Sequence, residues 1–393
     1  MKAVACHISV DIKEGVVIKV SVITVCFNSQ RTIERTILSV LNQTYSNIEY
    51  IIIDGNSSDS TMDIVLRYNK MVSLGCFPGK EMKYVSENDN GIYDAMNKGI
   101  AQAKGHIIGI INSDDWYEID AIEKIVKAMN QSNNSLIFYG NMQVYDGETS
   151  YLSIGSEKVD DIRTGMIFGH PTCFVPKEIY RKFGTFNTKY AIAADYEFLL
   201  RCYINGITFM KIDGLIANFS LGGISCTKNL MCAIETVHIS MNHYKPTSCS
   251  EKILEKNISN LKKACLLSLK KNVLRSFIGE ERCCIFGSGI WGRNIQRICE
   301  GGGIAIEFIV DNDRSKWNGY VVSPSNLKRY EGTVIIATTK FREEIMNQLE
   351  EFENPLLRIV TLDEIQNMAL EYMRRNNEEV ADCLCMIDAY RLK

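Results

Sequence analysis

The chain has 393 residues, which is enough for two or three domains with ample hydrophobic cores. Its 44 Lys and Arg residues nearly balance its 47 Asp and Glu residues, and the net charge of −3 argues against nucleic acid or an acidic polymer as a partner. The 14 cysteines are scattered without CxxC spacing and there are only five histidines, so we predict neither a disulfide framework nor a zinc site. The charged N-terminus and the lack of a long uncharged apolar stretch predict a cytoplasmic protein without a signal peptide or membrane span.

The first half of the chain alternates strand and helix patterns. Continuous apolar runs predict buried strands at residues 20–28, 48–53, 82–85 and 107–111. Apolar residues at helical spacing follow each of the first three runs. Shorter strand patterns come later, at residues 136–139 and 151–154. Alternating strands and helices are typical of a parallel sheet, so the predicted fold class is α/β.

Polar side chains follow the four early strands where each strand ends. Asn28 follows the first strand, Asp54 the second and Asp89 the third, and the adjacent carboxylates of Asp114 and Asp115 follow the fourth. The carboxyl ends of parallel strands meet at one edge of a sheet, which is where such folds bind ligands. Helix capping is the simpler explanation for any one Asp pair after a strand. The convergence of four such positions favours a metal or phosphate site.

Two further carboxylates lie near the start of a later helix pattern. Asp195 and Glu197 begin a mostly apolar helix, where the unpaired N–H groups and the helix dipole favour a carboxylate. Capping and a functional role are equally open for both residues. His170 lies in a Gly-rich loop at residues 165–174, where a plain loop histidine is the simpler interpretation.

The C-terminal part of the chain changes character twice. Residues 251–276 carry seven Lys and Arg against two Glu and predict a basic amphipathic helix, which either lies on anionic lipid or packs on its own protein. From residue 282 a strand–helix–strand pattern carries a G-x-G-x-x-G sequence, with Asp311 at the end of the second strand. This arrangement is typical of dinucleotide binding, but the segment is too short for two mononucleotide-binding halves. The pattern therefore indicates a Rossmann-like fold more strongly than it indicates a bound cofactor. Its glycines are Gly287, Gly289 and Gly292.

Five motifs follow one another along the chain: TVCFN, IIIDGNSSDST, SENDNGIYDAMNKGIAQAKG, IINSDD and AADYEFLLR. In this order they resemble the GT-A glycosyltransferases of family 2, particularly the bacterial branch that builds surface polysaccharides and O-antigen-like glycans. The resemblance implies a GT-A nucleotide-diphospho-sugar transferase fold, followed here by a unit similar to small Rossmann-like α/β domains. It also implies an inverting, hexosyltransferase-type reaction that uses Mg²⁺ or Mn²⁺. The implied donor is a nucleotide sugar, first of all a UDP-sugar, and the implied acceptor is a saccharide or lipid-linked saccharide.

The resemblance also assigns roles to the candidate residues. Asp195 matches the position of the catalytic base, although many relatives carry Glu-Asp where this chain has Ala194 and Asp195, so Glu197 stays an alternative. His170 is a weaker candidate for contact with the acceptor or a phosphate. The implied donor residues are Asn28 and Asp54 for the base and ribose, Asp89 and Gly91 for the same pocket, Asp114 for the ribose or donor, and Asp115 for the metal.

These observations predict five segments: a leader at 1–18, a GT-A domain at 19–245, a basic linker helix at 246–280, a Rossmann-like domain at 281–365 and a helical tail at 366–393. Peripheral contact with the cytoplasmic face of a membrane and assembly into a homo-oligomer are open. Two other functions are also open. One is a catalytically silent nucleotide-sugar sensor whose output is the C-terminal domain, and the other is an NAD-dependent sugar oxidoreductase fused to the transferase.

Overall fold

A computed structural model of the chain describes residues 17–132, 136–223, 228–245, 247–269, 273–278 and 282–392. The chain divides into two compact units, Met1–Tyr244 and Lys245–Lys393. Most of the predicted leader lies outside the described residues. In the part of the chain that the structure describes, no helix is long and apolar enough to cross a membrane.

Among its described residues, the first unit has nine strands and seven α-helices. The strands are β1 (Val20–Cys26), β2 (Ile48–Asp54), β3 (Lys80–Ser86), β4 (Ile107–Asn112), β5 (Trp116–Tyr117), β6 (Leu136–Asp146), β7 (Thr149–Ser153), β8 (Phe174–Pro176) and β9 (Thr208–Ser220). The helices are α1 (Ile33–Leu41), α2 (Thr61–Ser73), α3 (Ile92–Gln102), α4 (Ala121–Gln131), α5 (Lys177–Phe183), α6 (Ala194–Ile204) and α7 (Asn229–His243).

The sheet order is β3-β2-β1-β4-β8-β6-β9-β5, and β7 pairs with β6. The four strands β3, β2, β1 and β4 are parallel, as the continuous apolar runs predict. Both faces of this half are covered, and β1 sends Ile23 and Val25 into one hydrophobic core and Val20 and Val22 into the other. The rest of the sheet is mixed, because β8 runs antiparallel to β4 while β9 runs parallel to β6.

The second unit contains a five-stranded parallel sheet in the order β12-β11-β10-β13-β14. This confirms the predicted second α/β domain and matches the first five positions of the doubly wound strand order. Apolar runs in the sequence mark β10 and β11, and the run TVIIATT marks β13, whereas the pattern misses β12 and β14. The strands are β10 (Cys283–Phe286), β11 (Ile306–Val310), β12 (Val321–Val322), β13 (Gly332–Ile336) and β14 (Leu357–Thr361). The helices are α8 (Ser248–Leu267), α9 (Val273–Ile278), α10 (Ile290–Gly301), α11 (Arg342–Glu350), α12 (Leu362–Asn376) and α13 (Glu378–Arg391).

The predicted basic helix is α8, and it begins and ends earlier than its periodicity indicates. A capping box between Thr247 and Ser250 starts it at residue 248, and it ends at residue 267 instead of 276. Its apolar side is covered within the second unit, since Leu254, Leu261 and Cys265 are buried and the helix packs against α12. Packing of this helix on its own protein therefore accounts for its apolar stripe.

Candidate active site

The carboxyl ends of β1 to β4 lie side by side at one edge of the first sheet. In the strand register, Asp54 at the end of β2 pairs with Cys26 of β1 and with Ser86 of β3. Asn112 at the end of β4 pairs with Val25 of β1. The loops that follow these four strands therefore begin at the same edge, as the sequence predicts.

Asp54 is fully buried, and its carboxylate holds the loop after β2. Its Oδ2 accepts hydrogen bonds from Ser57 N at 3.0 Å and from Ser86 Oγ at 2.6 Å, and its Oδ1 accepts from Ser57 Oγ. A carboxylate in the interior needs such donors, because an unpaired buried charge is costly. Asp54 thus shapes the loop, and its contact with a nucleotide stays a prediction.

Asn28 joins the loop after β1 to the loop after β2. Its φ of 50° lies in the left-handed region, which Asn adopts more readily than most residues. Its Oδ1 accepts from Ser58 N at 2.9 Å, and its own N–H donates to Ser57 Oγ at 2.8 Å. The neighbouring Phe27 side chain is 63% exposed, so the joined loops present an apolar ring at the sheet edge.

Gly55 lies beneath two side chains from neighbouring loops. A Cβ at this position would lie 2.6 Å from Asp89 Oδ2 and 3.4 Å from the Phe27 ring, so the close approach of Asp89 requires glycine. Asp89 Oδ1 also accepts from Gly91 N at 2.9 Å, and α3 begins at the residue after Gly91. The structure therefore brings four predicted residues together in one group, the rim cluster. Its members are Asn28, Asp54, Asp89 and Gly91.

Asp114 and Asp115 follow β4 directly and have different surroundings. Asp115 is fully buried, and its Oδ1 accepts from Ser220 N of β9 at 3.0 Å. Asp114 is partly exposed, and its main-chain carbonyl accepts from the Arg35 guanidinium at 2.7 Å. Burial raises the pKa of both carboxyls, and the charge of Asp114 raises the pKa of Asp115 further. Of the two side chains, that of Asp114 is the one a ligand can reach.

The oxygen atoms beside this aspartate pair fit a hard divalent cation. Asn112 Oδ1 is buried and has no hydrogen-bond partner among the described residues, which is unusual for a buried polar atom. No group of three or more His, Cys, Asp or Glu side chains in the described ranges is arranged to hold a metal. Mg²⁺ is commonly bound through one or two carboxylates and completed by substrate phosphates. The residues present fit that kind of site, and a caged ion is not indicated.

Arg35 on α1 adds a positive charge beside the aspartate pair. Its guanidinium carbon lies 3.6 Å from the centre of the Trp116 ring, and its Nη2 donates to Ser220 Oγ at 3.1 Å as well as to Asp114 O. The stacking and the two hydrogen bonds fix its orientation. Arg35 could not be predicted from the sequence, because no spacing distinguishes it from an ordinary charged residue on the surface of a helix.

Asp195 lies in the first turn of α6 and is half-buried. It is not the N-cap of the helix, which is Ala193. Its Oδ1 accepts from the Tyr93 hydroxyl at 2.9 Å and from Tyr196 N at 2.8 Å. Within the described ranges both hydrogen bonds fall on Oδ1, which leaves Oδ2 without a protein donor. Tyr93 lies on α3, so this helix joins the rim cluster to Asp195.

His170 lies near Asp195, packed edge-on against the Phe186 ring at 5.8 Å between centres. Burial lowers the pKa of His170, and the charge of Asp195 acts in the opposite direction. The structure thus brings His170 and Asp195 together, although they are far apart in the sequence. A neutral imidazole beside this carboxylate can offer either a donor or an acceptor to a ligand.

Glu197 lies on another side of α6 and belongs to a buried ion-pair network. Its oxygens accept from Arg201 Nε at 3.1 Å and Nη2 at 2.9 Å, and Oε1 lies 3.0 Å from His243 Nε2. Burial alone would raise the pKa of Glu197, but hydrogen bonds from His243 and Arg201 outweigh it and hold the pKa below its usual 4.5. Both oxygens are therefore engaged by the protein itself.

Glu235 on α7 is a second residue near the site that could not be predicted from the sequence. This residue is 6% exposed, and its carboxylate accepts hydrogen bonds from three successive backbone N–H groups just before Asp195. Its distance along the chain from Asp195 gives no signal in the sequence. Only the folded chain reveals the contact.

The glycine loop of the second unit has the close packing that its sequence predicts. A Cβ at Gly292 would lie 1.9 Å from Gly287 O, so α10 approaches the loop as only glycine allows. No described atom lies within 4 Å of a Cβ built on Gly289. Asp311 Oδ2, however, accepts from Ser288 N at 3.0 Å and from Ser288 Oγ, so this carboxylate binds its own loop. Nucleotide binding by this unit stays a prediction.

Comparison with known proteins places these features in a family. The model of the family described as Glycosyl transferase family 2 matches residues 21–187. This range includes the rim cluster, the aspartate pair and His170. A PGL/p-HBAD biosynthesis glycosyltransferase of Mycobacterium bovis (strain BCG / Pasteur 1173P2) is 25% identical over 210 residues, which cover 53% of this chain and 79% of that protein. An uncharacterized glycosyltransferase of Mycobacterium tuberculosis (strain CDC 1551 / Oshkosh) is 33% identical over 186 residues, which cover 46% of this chain and 68% of that protein.

The fold is similar to that of a solved structure. The crystal structure of S. aureus TarS 1-349 in complex with UDP matches with a TM-score of 0.51 and 14% sequence identity, over 92% of each chain. This likeness confirms the predicted fold class. The family match and the relative that is 33% identical identify the chain as a glycosyltransferase that belongs to glycosyltransferase family 2.

Proposed function

We propose that this glycosyltransferase moves a sugar from a nucleotide-sugar donor to a saccharide hydroxyl, with inversion at the anomeric carbon and with Mg²⁺ or Mn²⁺. One observation carries the proposal: the carboxylates fall into separate environments. The aspartate pair lies at the end of β4 beside Arg35, whereas Asp195 lies on α6, and no described residue donates to its Oδ2. An inverting transfer needs this division, since a carboxylate that binds a cation is a poor base.

The rim cluster is proposed to hold the nucleotide. The loops fixed by Asn28 and Asp54 leave Phe27 exposed beside Asp89, and an exposed aromatic ring offers a face on which a base can stack. Asp89 and Gly91 complete the pocket. The UDP in the TarS complex supports a UDP-sugar as the first donor to test.

The aspartate pair is proposed to serve the diphosphate. The sequence-based prediction assigns the metal to Asp115 and the ribose or donor to Asp114. Since Asp115 is fully buried, we propose Asp114 as the side chain in direct contact and Asp115 as the residue that fixes the turn through Ser220. A bound divalent cation supplies Lewis-acid stabilisation of the leaving diphosphate. Arg35 adds a fixed positive charge on the same side.

Asp195 is proposed to be the catalytic base. As the acceptor oxygen forms its bond to the anomeric carbon, the bond from that carbon to the diphosphate breaks, and the acceptor proton passes to Asp195. Base catalysis of this kind contributes about 100 to 10,000-fold. Glu197 is a weaker candidate because Arg201 and His243 engage its oxygens. His170, which lies beside Asp195, is proposed to contact the acceptor.

The acceptor is proposed to be a saccharide, including a lipid-linked saccharide, in the synthesis of a surface polysaccharide. A relative named for a biosynthetic role, the PGL/p-HBAD biosynthesis glycosyltransferase, supports a biosynthetic setting. The basic helix α8 gives no support for membrane contact through its apolar stripe, because that stripe is buried. Contact with a membrane would use other surfaces.

The test is a donor screen with the full chain over UDP-, GDP- and dTDP-sugars, with Mg²⁺ or Mn²⁺ and with EDTA. We expect one donor to be hydrolysed slowly, to be transferred to a saccharide acceptor, and to lose both activities in EDTA. Transfer that is insensitive to EDTA would contradict the proposed dependence on a divalent cation. Donor binding without turnover under all conditions would favour the silent sensor.

A further inference from the structure

We propose that Glu235 is a positioning residue for the base, which acts on Asp195 through the backbone of residues 191–193 and through Tyr93. This inference rests on the proposed function, because it takes Asp195 to be the group that receives the acceptor proton. Glu235 lies on α7, and Asp195 lies at the start of α6. Their connection is a chain of hydrogen bonds in the first unit.

The first link is the Glu235 carboxylate. Its Oε1 accepts from Ala191 N at 2.7 Å, and its Oε2 accepts from Ile192 N at 2.9 Å and from Ala193 N at 2.8 Å. Charge-assisted bonds of this length are roughly twice as strong as neutral ones. Three of them on successive residues fix the direction of each peptide group in the segment that leads into Asp195.

The second link is the carbonyl oxygen of Ile192. It accepts from the Tyr93 hydroxyl at 2.6 Å, and the same hydroxyl lies 2.9 Å from Asp195 Oδ1. Tyr93 therefore has two acceptors for one hydrogen. The position of Ile192 O depends on the peptide groups that Glu235 holds.

This geometry lets Tyr93 serve both protonation states of Asp195. When Asp195 is charged, the Tyr93 hydrogen points to Oδ1. When Asp195 has taken the acceptor proton on Oδ2, its Oδ1 is neutral and a weaker acceptor, so the Tyr93 hydrogen can turn to Ile192 O. The phenol keeps its proton throughout, since burial and the nearby Asp195 charge raise the pKa of Tyr93 well above its usual value. The Tyr93 hydroxyl therefore keeps an acceptor both before and after Asp195 loses its negative charge.

The experiment compares kcat, the donor KM and the pH profile of kcat in the wild type and in Glu235→Ala, Glu235→Gln and Tyr93→Phe. Thr236→Ala is the matched control, because its hydroxyl donates to Cys232 O within the same helix. We expect Glu235→Ala to lower kcat by about 10-fold or more with the donor KM within about twofold, a range typical of a misplaced catalytic group. Glu235→Gln should lose less, because its amide oxygen can still accept from Ile192 and Ala193.

The pH profile separates positioning from general support of the fold. In Tyr93→Phe the charged form of Asp195 loses a donor, so the acid limb of the kcat profile should move to higher pH. Amide hydrogen exchange at residues 191–193 should be faster in both Glu235 variants than in the wild type or in Thr236→Ala. If Glu235→Ala does not fold, Glu235→Gln and Tyr93→Phe decide the question.

The possible failures are distinguishable. Wild-type protein that transfers no sugar, or Asp195→Asn protein that transfers normally, overturns the proposed function and this inference with it. If both of those tests hold while the Glu235 variants match Thr236→Ala in kcat and pH profile, the inference alone is wrong. A higher donor KM with unchanged kcat also overturns it, because Glu235 would then support donor binding.

Discussion

Replacing Glu197 by Ala tests whether this carboxylate serves the fold or the chemistry. Glu197 is 4% exposed and pairs with both Arg201 and His243. Arg201 in turn donates to the carbonyl oxygens of Phe183 and Thr185. The network therefore ties α6 to the end of α5 and to α7, and its loss should appear as lost stability.

The magnitude follows from the burial of the two partners. Removing one member of a buried ion pair typically costs about 3–5 kcal/mol. The Arg201 side chain is 21% exposed, so water relieves part of its unpaired charge and the lower end, about 3 kcal/mol, applies. In a unit of this size, a loss of about 1 kcal/mol in the free energy of unfolding lowers Tm by about 2–4 °C. A loss of about 3 kcal/mol should therefore lower Tm by about 6–12 °C.

The assay is thermal unfolding of the full chain as a function of pH, with kcat measured well below Tm. The folded-state pKa of Glu197 is lowered, so the stabilisation is present above its usual 4.5 and is lost as pH falls through the lowered pKa. The Tm difference should thus be largest near neutral pH and shrink in acid. Glu178→Ala, which removes an exposed pair with Arg181, is the control and should change Tm little. An unchanged Tm with a 100-fold loss of kcat would refute this account and make Glu197 the base.

Three further predictions follow from the geometry. Asp114→Asn should lower Mn²⁺-dependent transfer by about 100-fold or more, as is usual for the loss of a key electrostatic group. Asp115→Asn, which can still accept from Ser220 N, should lose less, and the reverse order would return the metal to Asp115. Gly109→Ala would place a Cβ 2.4 Å from the fully buried Phe174 ring, so chemical denaturation should show a loss of about 1–3 kcal/mol, and an equally stable variant would contradict this packing. Asp311→Ala leaves the Ser288 N–H without its acceptor and should speed amide exchange in residues 286–292, whereas unchanged exchange would mean that the loop holds itself.

The parallel half of the first sheet could be predicted because its strands are covered on both faces. Burial on two sides demands continuous apolar runs, and the sequence displays them in β1, β2 and β4. The mixed half carries a weaker signal. β8 has only three residues, and β9 includes Lys211 and Asp213 among its apolar positions, so neither matches a simple strand pattern.

The residues of the rim cluster and the aspartate pair could be found because each lies next to the strand that positions it. The different surroundings of Asp114 and Asp115 could not be predicted, because Ser220 buries Asp115 from a strand about a hundred residues later. The contacts of Tyr93 and Glu235 could not be predicted for the same reason. Their partners are set by the packing of α3 and α7 against the start of α6, and no local spacing encodes that packing.

The second unit shows the same limit. Its glycine spacing correctly indicates close packing of α10 on the loop, which the contact between Gly292 and Gly287 O explains. The role of Asp311 could not be read from spacing, because a carboxylate at the end of β11 can bind either a ribose or its own loop. In this structure the hydrogen bonds from Ser288 tie Asp311 to the loop, and its contact with a ribose stays a prediction.

The most direct test of the central claim is single-turnover sugar transfer by the wild type and by Asp195→Asn, with the donor found in the screen and Mn²⁺. The anomeric configuration of the product is read by NMR, and donor binding is measured separately for each protein. We expect an inverted product and a donor affinity that is unchanged in Asp195→Asn. We also expect transfer by this variant to fall by about 100 to 10,000-fold. A retained configuration, or near-normal transfer by Asp195→Asn, would contradict the central claim.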